Sequence, residues 1–489
     1  MLFSKLLEAS EVLVKQRRGD AEIRVLTADS RRCEAGSCFV AVRGPGDDGH
    51  RYIPAALSAG AAAVICEDPS EAPGDIPCAV VDGTQMALGK LAQAFYGWPG
   101  RRLKVIGVTG TKGKSTVTYL VRAILEQAGF RPALVGTISY ETGKRSIQAG
   151  NTTPGPIELA DMMAECVSAG MTHLVMEVSS HALHQRRTAG IAFQVGIFTN
   201  LSGDHLDYHL TMEDYLLAKQ LLFEDLSPDA AAVINRDDPV SDRLAAATRA
   251  KVIWYGLSAA SDFRARIDQI DTSGTQFVLI HGNRERPVKS PLIGRHNVFN
   301  CLAAAGACHA IGIGLATIAA ALERVSRVPG RLERVNVPAP YQVFVDYAHT
   351  DDALDKALGS VRPITKGRVI VVFGCGGNRD RTKRPRMARV AQELADVVVI
   401  TSDNPRNEEP RAIIDEILTG LSDQGRRRAL VEPDRRKAIE MAIAQARDGD
   451  LVLIAGKGHE NYQIIGGTKR HFDDTEVAQE LMRRREAIA

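Results

Sequence analysis

Lys114 and Ser115 stand together at the end of a glycine-spaced run, KVIGVTGTKGKSTVTYLVRAIL, residues 104–125. A lysine so placed reaches the β- and γ-phosphates of a nucleotide, and a neighbouring hydroxyl ligates Mg²⁺. An apolar strand pattern precedes the pair, a loop with Gly107, Gly110 and Gly113 leads into it, and a helical pattern follows. Loop N–H groups and a helix N-terminus together make a concave anion site. One glycine is out of place: the common phosphate-loop pattern needs it at position 108, which is Val108. The loop is therefore a variant.

Other residues could add to that chemistry. In THLVMEVSSHAL an apolar strand ends at Glu177. A carboxylate there, beside the loop in a parallel sheet, can hold Mg²⁺ directly or through water. His205 and His209 in TNLSGDHLDYH are spaced i, i+4, but no HExxH pattern accompanies them, which argues against structural zinc. One histidine beside a nucleotide's magnesium is the better use. Lys219 lies among leucines in YLLAKQLLFEDL. Such a lysine ordinarily snorkels its ammonium to water. Burial would instead depress its pKa and let the neutral amine take up CO₂ as a carbamate, an anionic oxygen ligand. Composition leaves both open. Farther on, GCGGNRDRTKRP carries Arg379, Arg381, Lys383 and Arg384, and TSDNPRNEEP carries Asp403, Asn404 and Arg406, each after an apolar strand. Arg forks suit carboxylates and Asp suits an amine, so together they fit a zwitterionic amino acid; a solvated, charge-rich loop is the plainer alternative.

The elements that must position these groups alternate strand and helix. Residues 1–98 mix short strands and helices, after an amphipathic helix in MLFSKLLEASEVLVKQRR. Residues 99–331 open with the phosphate loop and continue as apolar strands (PALVGTIS, THLVMEVSS, FQVGIFTNL) between helices (IELADMMAECVSAG, MEDYLLAKQLLFEDL), a pattern for a parallel sheet covered on both faces. The run from Val325 to Val335, with Pro329-Gly330, reads as a linker. Residues 332–489 form a second doubly wound unit, with helices near Met387–Leu394 and Ile413–Leu421. The expected class is α/β in three domains: a small α/β domain, a central P-loop parallel-sheet domain and a Rossmann-like domain. Ligands of such sheets bind beyond the carboxyl ends of the strands.

At 489 residues, 45% hydrophobic and 25% charged, the composition is that of an ordinary globular protein of about three domains. A net charge of +2 gives no reason to expect a nucleic-acid or membrane partner, and the chain is expected to act as a monomer on small molecules. Apolar runs such as Ala61–Cys66 and Val397–Ile400 fall far short of the ~20 residues of a membrane span. No basic head precedes an apolar core at the start. The eight scattered cysteines, without a C-x-x-C pair, read mostly as buried free thiols and fit a reducing cytoplasm.

Taken in order, GVTGTKGKST, MEVSSHAL, TNLSGDHLDYH, Lys219, GRHNVFN, PGRLERV, VDYAHT, DNPR and GKGHE resemble the Mur ligase family nearly end to end, including the DSRR…FVAVRG…DGHRYI segment. Within it they resemble members that add a third amino acid to UDP-N-acetylmuramoyl-L-alanyl-D-glutamate in peptidoglycan synthesis, a step that serves the cell wall, cell shape and division. The resemblance implies an ATP-binding loop at Gly110, Thr111, Lys112, Gly113, Lys114, Ser115 and Thr116. Glu177, His205 and Ser115 would hold magnesium, with Lys219 as its carbamate. Lys114, Glu177, His205 and Lys219 would form the catalytic set. Asn297 would face adenine, and Arg331 and Asp346 the ribose. Asn151, Thr152, Thr153, Ser179, Gln185 and Arg187 would contact the muramoyl dipeptide, and Ala28, Ser30, Pro45, Gly46 and Asp47 the uridine side. Arg379, Asp403, Asn404, Pro405, Arg406, Gly456 and Glu460 would receive the amino acid. The resemblance further implies meso-2,6-diaminopimelate, since DNPR is the form typical of members that take it and lysine-adding relatives usually lack the arginine; physically, Arg406 could pair with a distal carboxylate that lysine lacks. The implied chemistry passes the ATP γ-phosphoryl group to the D-glutamyl carboxylate, after which the amine displaces phosphate. The alternatives are a lysine-adding ligase, a folylpolyglutamate synthetase, or a nucleotide-regulated binding switch. No N-K-x-D motif supports the switch.

Overall fold

The computed structural model describes residues 1–44 and 46–487, without the side chain of Glu71. The chain divides into two compact units: Met1–Ala265 with Leu279–Arg286 and Phe299–Ala321, and Arg266–Val278 with Pro287–Val298 and Leu322–Ala489. The first unit begins with a five-stranded sheet ordered Val14–Arg18, Cys78–Val81, Ala61–Cys66, Ser37–Val40, Val25–Thr27. Its strands are parallel except the first, which runs antiparallel to Cys78–Val81.

That first strand corrects the sequence expectation of a long amphipathic opening helix. The helix covers only Phe3–Ala9, burying Phe3, Leu6 and Leu7. Glu11 takes a left-handed φ of 55°, a turn that ends the helical period, and Val14–Arg18 proceeds extended.

A second sheet in this unit runs Lys251–Tyr255, Ala231–Asn235, Phe193–Phe198, Lys104–Thr109, His173–Glu177, Pro132–Val135, all parallel. Two short antiparallel strands, Ser139–Glu141 and Ser146–Gln148, extend it where one strand was expected through PALVGTIS. Lys104–Thr109 is central, and Val105, Ile106 and Val108 are fully buried. The helix that follows, Lys114–Gln127, buries Val117, Leu120, Val121, Ile124 and Leu125, the i, i+3, i+4, i+7, i+8 stripe of a helix packed on a sheet. Each such side chain contributes about 1.5–3 kcal/mol of burial, so the loop between strand and helix is anchored at both ends.

The second unit is built on a sheet ordered Glu333–Arg334, Gln342–Asp346, Leu451–Ala455, Val369–Phe373, Val397–Ile400, Leu430–Val431, parallel after its first pair. Helices Asp351–Val361, Lys383–Leu394 and Pro410–Leu418 cover one face; Arg435–Gln445 and Asp474–Glu486 cover the other. The helices predicted near 387–394 and 413–421 begin earlier than expected, at Lys383 and Pro410. The 325–335 run is a packed corner instead of a free linker. Gly330 has φ +65°, and a Cβ there would meet His459 N at 2.2 Å.

Candidate active site

In the first unit the phosphate loop is held from below by the loop after the neighbouring strand Phe193–Phe198. Thr111 N donates to Asn200 O (2.8 Å) and Lys112 N to Asn200 Oδ1 (3.0 Å). Thr199 Oγ1 and Asn200 Nδ2 donate to Lys112 O at 2.7 and 3.1 Å. Gly110 has φ +143°, and a Cβ there would lie 1.9 Å from Thr199 Oγ1; at Gly113, φ +89°, it would lie 2.5 Å from Asn300 Oδ1. The variant glycine spacing thus answers to close neighbours. Ser115 and Thr116 are buried in the first helical turn, and Lys114 Nζ donates to Gly110 O (2.9 Å) and Thr111 O (3.0 Å).

Lys219 is 1% exposed, and its Nζ donates to the same Gly110 carbonyl at 2.9 Å. It does not snorkel. Its ammonium lies 4.1 Å from the centre of the Tyr215 ring, whose hydroxyl donates to Thr111 Oγ1 (3.2 Å). Burial, with Lys114 adding to it, holds the Lys219 pKa well below the usual lysine range. Lys112 pairs with Asp204 at 3.0 Å. Burial pushes the Asp204 carboxyl up, but Lys112 and His205 outweigh it and leave it at about 2.

Glu177 is the ladder partner of Val108, so its side chain issues beside the phosphate loop. Its Oε1 accepts from Thr137 N (2.8 Å) and its Oε2 from Thr137 Oγ1 (3.0 Å). His205 is 47% exposed and caps a four-residue helix, Leu206–His209, with φ +55°. Its ring meets His181 and Tyr215 at 4.9 and 6.1 Å between centroids. Partial burial, opposed by Asp204, holds His205 below the usual histidine pKa, so the imidazole is neutral near pH 7 and able to ligate. His209 turns away to Ser180 Oγ at 2.9 Å. Among the described residues no three His, Cys, Asp or Glu side chains converge as a metal cage. Magnesium beside nucleotide phosphates needs only one or two carboxylates, and Glu177, Ser115 and neutral His205 are donors of the right kind.

A hydrogen-bonded chain leads from Glu177 to a cleft. Thr153 Oγ1 donates to Glu177 O (2.9 Å), Thr137 Oγ1 meets Thr152 Oγ1 (3.1 Å), and Arg187 Nη1 donates to Thr153 O (2.9 Å). Ser179 N donates to Thr153 Oγ1 at 3.0 Å, and Asn151 O accepts from Tyr140 OH. Arg187 also forks onto Gln185 Oε1 at 2.9 and 2.6 Å. The cleft, of about 450 Å³, is lined by Gln185 and Arg187 with Ala28, Gly46, Asp47, Tyr52, Gln85 and Leu88, among others. Ser30 is not among its lining residues but begins the short helix two positions beyond Ala28. Pro45 lies outside the described residues.

In the second unit, Asp403, Asn404 and Pro405 are buried and Arg406 is half-buried with φ +53°. Asn404 Nδ2 donates to Glu460 Oε2 (2.8 Å), and Tyr347 OH to Glu460 Oε1 (3.4 Å). Gly456 has φ +116°; a Cβ there would lie 2.8 Å from Asp403 Oδ2. Arg406 Nη1 donates to Gly377 O at 2.9 Å. A Cβ on Gly376 would lie 2.9 Å from Arg406 Nη1 and 3.7 Å from Arg379 Cγ, so both guanidinium side chains pass the same glycine. No carboxylate among the described residues pairs with either. The Arg331 guanidinium lies 5.1 Å from the Tyr347 ring centre, and Asp346 Oδ2 accepts from Leu332 N (2.7 Å). Asn297 is buried in the helix Arg295–Ala310 and donates to Ile293 O (2.8 Å).

Three family models match the chain: Mur ligase family, catalytic domain, over residues 22–96; Mur ligase middle domain over 108–308; and Mur ligase, glutamate ligase domain, over 330–458. The chain belongs to the Mur ligase family. It is 46% identical over 476 residues to the UDP-N-acetylmuramoyl-L-alanyl-D-glutamate–2,6-diaminopimelate ligase of Geobacter metallireducens, covering 93% of each chain. It is 45% identical to the enzyme of the same name from Geobacillus kaustophilus, covering 96% of each. A solved structure of a ligase of that name is 32% identical with TM-score 0.68, covering 95% of each chain. The MurF ligase of Thermotoga maritima in complex with ADP, at 19% identity and TM-score 0.62 over 95% of this chain and 99% of that one, shares the fold.

Several residues of this Mur ligase site escaped the sequence reading. Thr199, Asn200 and Asp204 support the loop, Thr137 orients Glu177, and Tyr215 lies against Lys219. TNLSGD sits directly after an apolar strand, and that position could have singled out the first three. Thr137 and Tyr215 carry no local signal, since their roles come from strand register and helix packing.

Proposed function

We propose that this Mur ligase joins meso-2,6-diaminopimelate to the D-glutamyl carboxylate of UDP-N-acetylmuramoyl-L-alanyl-D-glutamate, with ATP converted to ADP and phosphate. The observation that carries the choice of amino acid is the pair Arg379 and Arg406 beside Gly376, without a carboxylate partner among the described residues, near buried Asp403 and half-buried Glu460. Diaminopimelate brings two carboxylates and two amines to such a crevice; lysine leaves one guanidinium unmatched, a loss of about 1–3 kcal/mol. The names of relatives at 42–46% identity agree.

In this reading the loop N–H groups and Lys114 bind the ATP phosphates, and Lys114 neutralises charge as the γ-phosphoryl group moves to the carboxylate. Mg²⁺, when bound, supplies the remaining charge neutralisation; Glu177, Ser115, His205 and carbamylated Lys219 would hold it. The depressed pKa of Lys219 supports its carbamate: the neutral amine adds CO₂ and releases a proton. Arg187, Gln185 and the 151–153 segment orient the nucleotide substrate, and the cleft around Ala28, Gly46 and Asp47 takes its uridine end. Asn297 faces adenine; Arg331 and Asp346 flank the ribose. The attacking amine of diaminopimelate, held by Asp403 and Glu460, displaces phosphate from the acyl phosphate. The division into UDP-binding (1–98), ATP-binding (99–331) and amino-acid-binding (332–489) domains belongs to the same reading, supported by the separate sheets in those segments. So does a monomer in the cytoplasm, where ATP and a UDP-linked precursor are at hand.

¹⁸O in the D-glutamyl carboxylate tests the route. With ATP, the labelled UDP dipeptide and diaminopimelate all present, one labelled oxygen is expected in each released phosphate as the amine displaces it; unlabelled phosphate alongside formed product would overturn the acyl-phosphate step. For the carbamate, a ¹³CO₂-derived NMR signal is expected that disappears in Lys219→Arg.

A further inference from the structure

The second unit buries an ion pair that the proposed chemistry leaves unused. Arg435 and Asp474 have fully buried side chains and pair at 2.6 Å. Arg435 Nε and Nη2 form a fork onto the Asp474 carboxylate, at 2.7 and 2.6 Å. The same guanidinium donates from Nη1 to Ser402 O (3.2 Å) and from Nη2 to Ala455 O (3.0 Å). Ser402 directly precedes Asp403, and Ala455 directly precedes Gly456. Their strands, Val397–Ile400 and Leu451–Ala455, are not neighbours in the sheet, because Val369–Phe373 lies between them. No ladder joins these two carboxyl ends directly, since each strand pairs with Val369–Phe373 between them and not with the other, and one planar side chain bonds at both.

Two features argue that this is more than packing. Arg435 opens the helix Arg435–Gln445, the end where a cation is locally disfavoured. A buried ion pair is also weak evidence for stability, since apolar residues of similar volume often do as well. What an apolar pair cannot supply is four directed hydrogen bonds from one rigid fork. The spacing it fixes is tight, because a Cβ on Gly456 would lie 2.8 Å from Asp403 Oδ2. A second buried cation bears on the same two segments: Lys457 Nζ lies 3.4 Å from both Asn404 Oδ1 and Glu460 Oε2.

We propose that Arg435, braced by Asp474, is a positioning residue that locks the 403–406 and 456–460 segments at the spacing the incoming amino acid requires. The inference rests on the ligase reading above and deepens it. The guanidinium acts through two backbone carbonyls and touches no substrate.

The test is steady-state kinetics on the full chain with each substrate varied in turn. Arg435→Lys keeps the charge beside Asp474 but replaces the planar fork and its four directed bonds with a single ammonium nitrogen. Arg435→Met/Asp474→Leu removes the pair without leaving a lone buried charge. Both are expected to raise KM for diaminopimelate by about tenfold or more, leaving KM for ATP and for the UDP dipeptide unchanged. An unchanged KM for diaminopimelate in Arg435→Lys would overturn the proposal. So would parallel rises in all three KM values accompanied by a lowered Tm, the signature of a merely structural role. The wild-type chain is assayed first with diaminopimelate and with L-lysine. Activity with lysine alone overturns the diaminopimelate reading, and the clamp is then judged on KM for lysine.

Discussion

The glycine loop at Gly110–Thr116 and the crevice around Asp403, Arg406 and Glu460, proposed above to take phosphate and amino acid, both hold polar groups at strand ends, but by different means. The loop is built from backbone: glycines at left-handed φ, carbonyls that take two lysines, and a neighbouring strand end that stitches it in place. The crevice is built from side chains that arrive from far along the chain. Arg435 and Asp474 clamp its two rims, and Arg384, fully buried, pairs with Glu408 and Glu416 behind it. A backbone cradle reads charge and size, which suits a phosphate shared by many enzymes. Side chains can encode which amino acid enters, and they can be exchanged without rebuilding the sheet.

That contrast can be broken by substitution. The largest effect is expected at Gly110→Ala, where the new methyl group would collide with Thr199 Oγ1. ATP-dependent phosphate release should fall by about a hundredfold while the crevice is untouched; near-normal turnover would mean that the loop is not the rigid cradle described. Next is Arg406→Gln. Turnover with diaminopimelate is expected to drop and preference over lysine to fall by about ten- to a hundredfold, read from kcat/KM for each amino acid. An unaltered preference would remove Arg406 from substrate selection. The smallest is a stability effect away from both sites. Burial, with Lys104 nearby, pushes His173 down to about 4 from its ordinary 6.5. Between those values the unfolded chain takes up a proton that the native chain refuses, so stability falls as pH drops through that window. The slope is at most about 1.4 kcal/mol per pH unit. His173→Gln should lower stability at pH 7 by the lost contacts with Phe130 and Thr172 yet flatten its further fall between pH 6.5 and about 4, as followed by urea unfolding; an unflattened slope would remove His173 as the cause.

The same contrast explains what the sequence disclosed. A backbone cradle requires contiguous residues of fixed type, so GTKGKS, the strand ending at Glu177 and the DNPR and GKGHE turns are visible without coordinates. Side-chain clamps require only that distant residues meet. Nothing in EPDRRKAI or HFDDTEV marks Arg435 and Asp474 as partners, and nothing marks Thr137 as the group that holds Glu177. Lys219 shows the limit from the other side: its leucine-rich surroundings fit a snorkelling lysine as well as a buried one, and its burial in the fold, with the Gly110 carbonyl at 2.9 Å, decides between them. At the chain start, Leu2, Phe3, Leu6 and Leu7 carry the helical period, but Glu11 reverses the backbone and the next apolar residues belong to a strand.

The choice of diaminopimelate over lysine is open to direct measurement. The direct measurement is mass spectrometry of the nucleotide product formed from ATP, the UDP-linked dipeptide and an equimolar mixture of meso-diaminopimelate and L-lysine. The expected product is heavier than the dipeptide by diaminopimelate less one water, with the lysine adduct a trace; a predominant lysine adduct, or no adduct with either, would overturn the assignment.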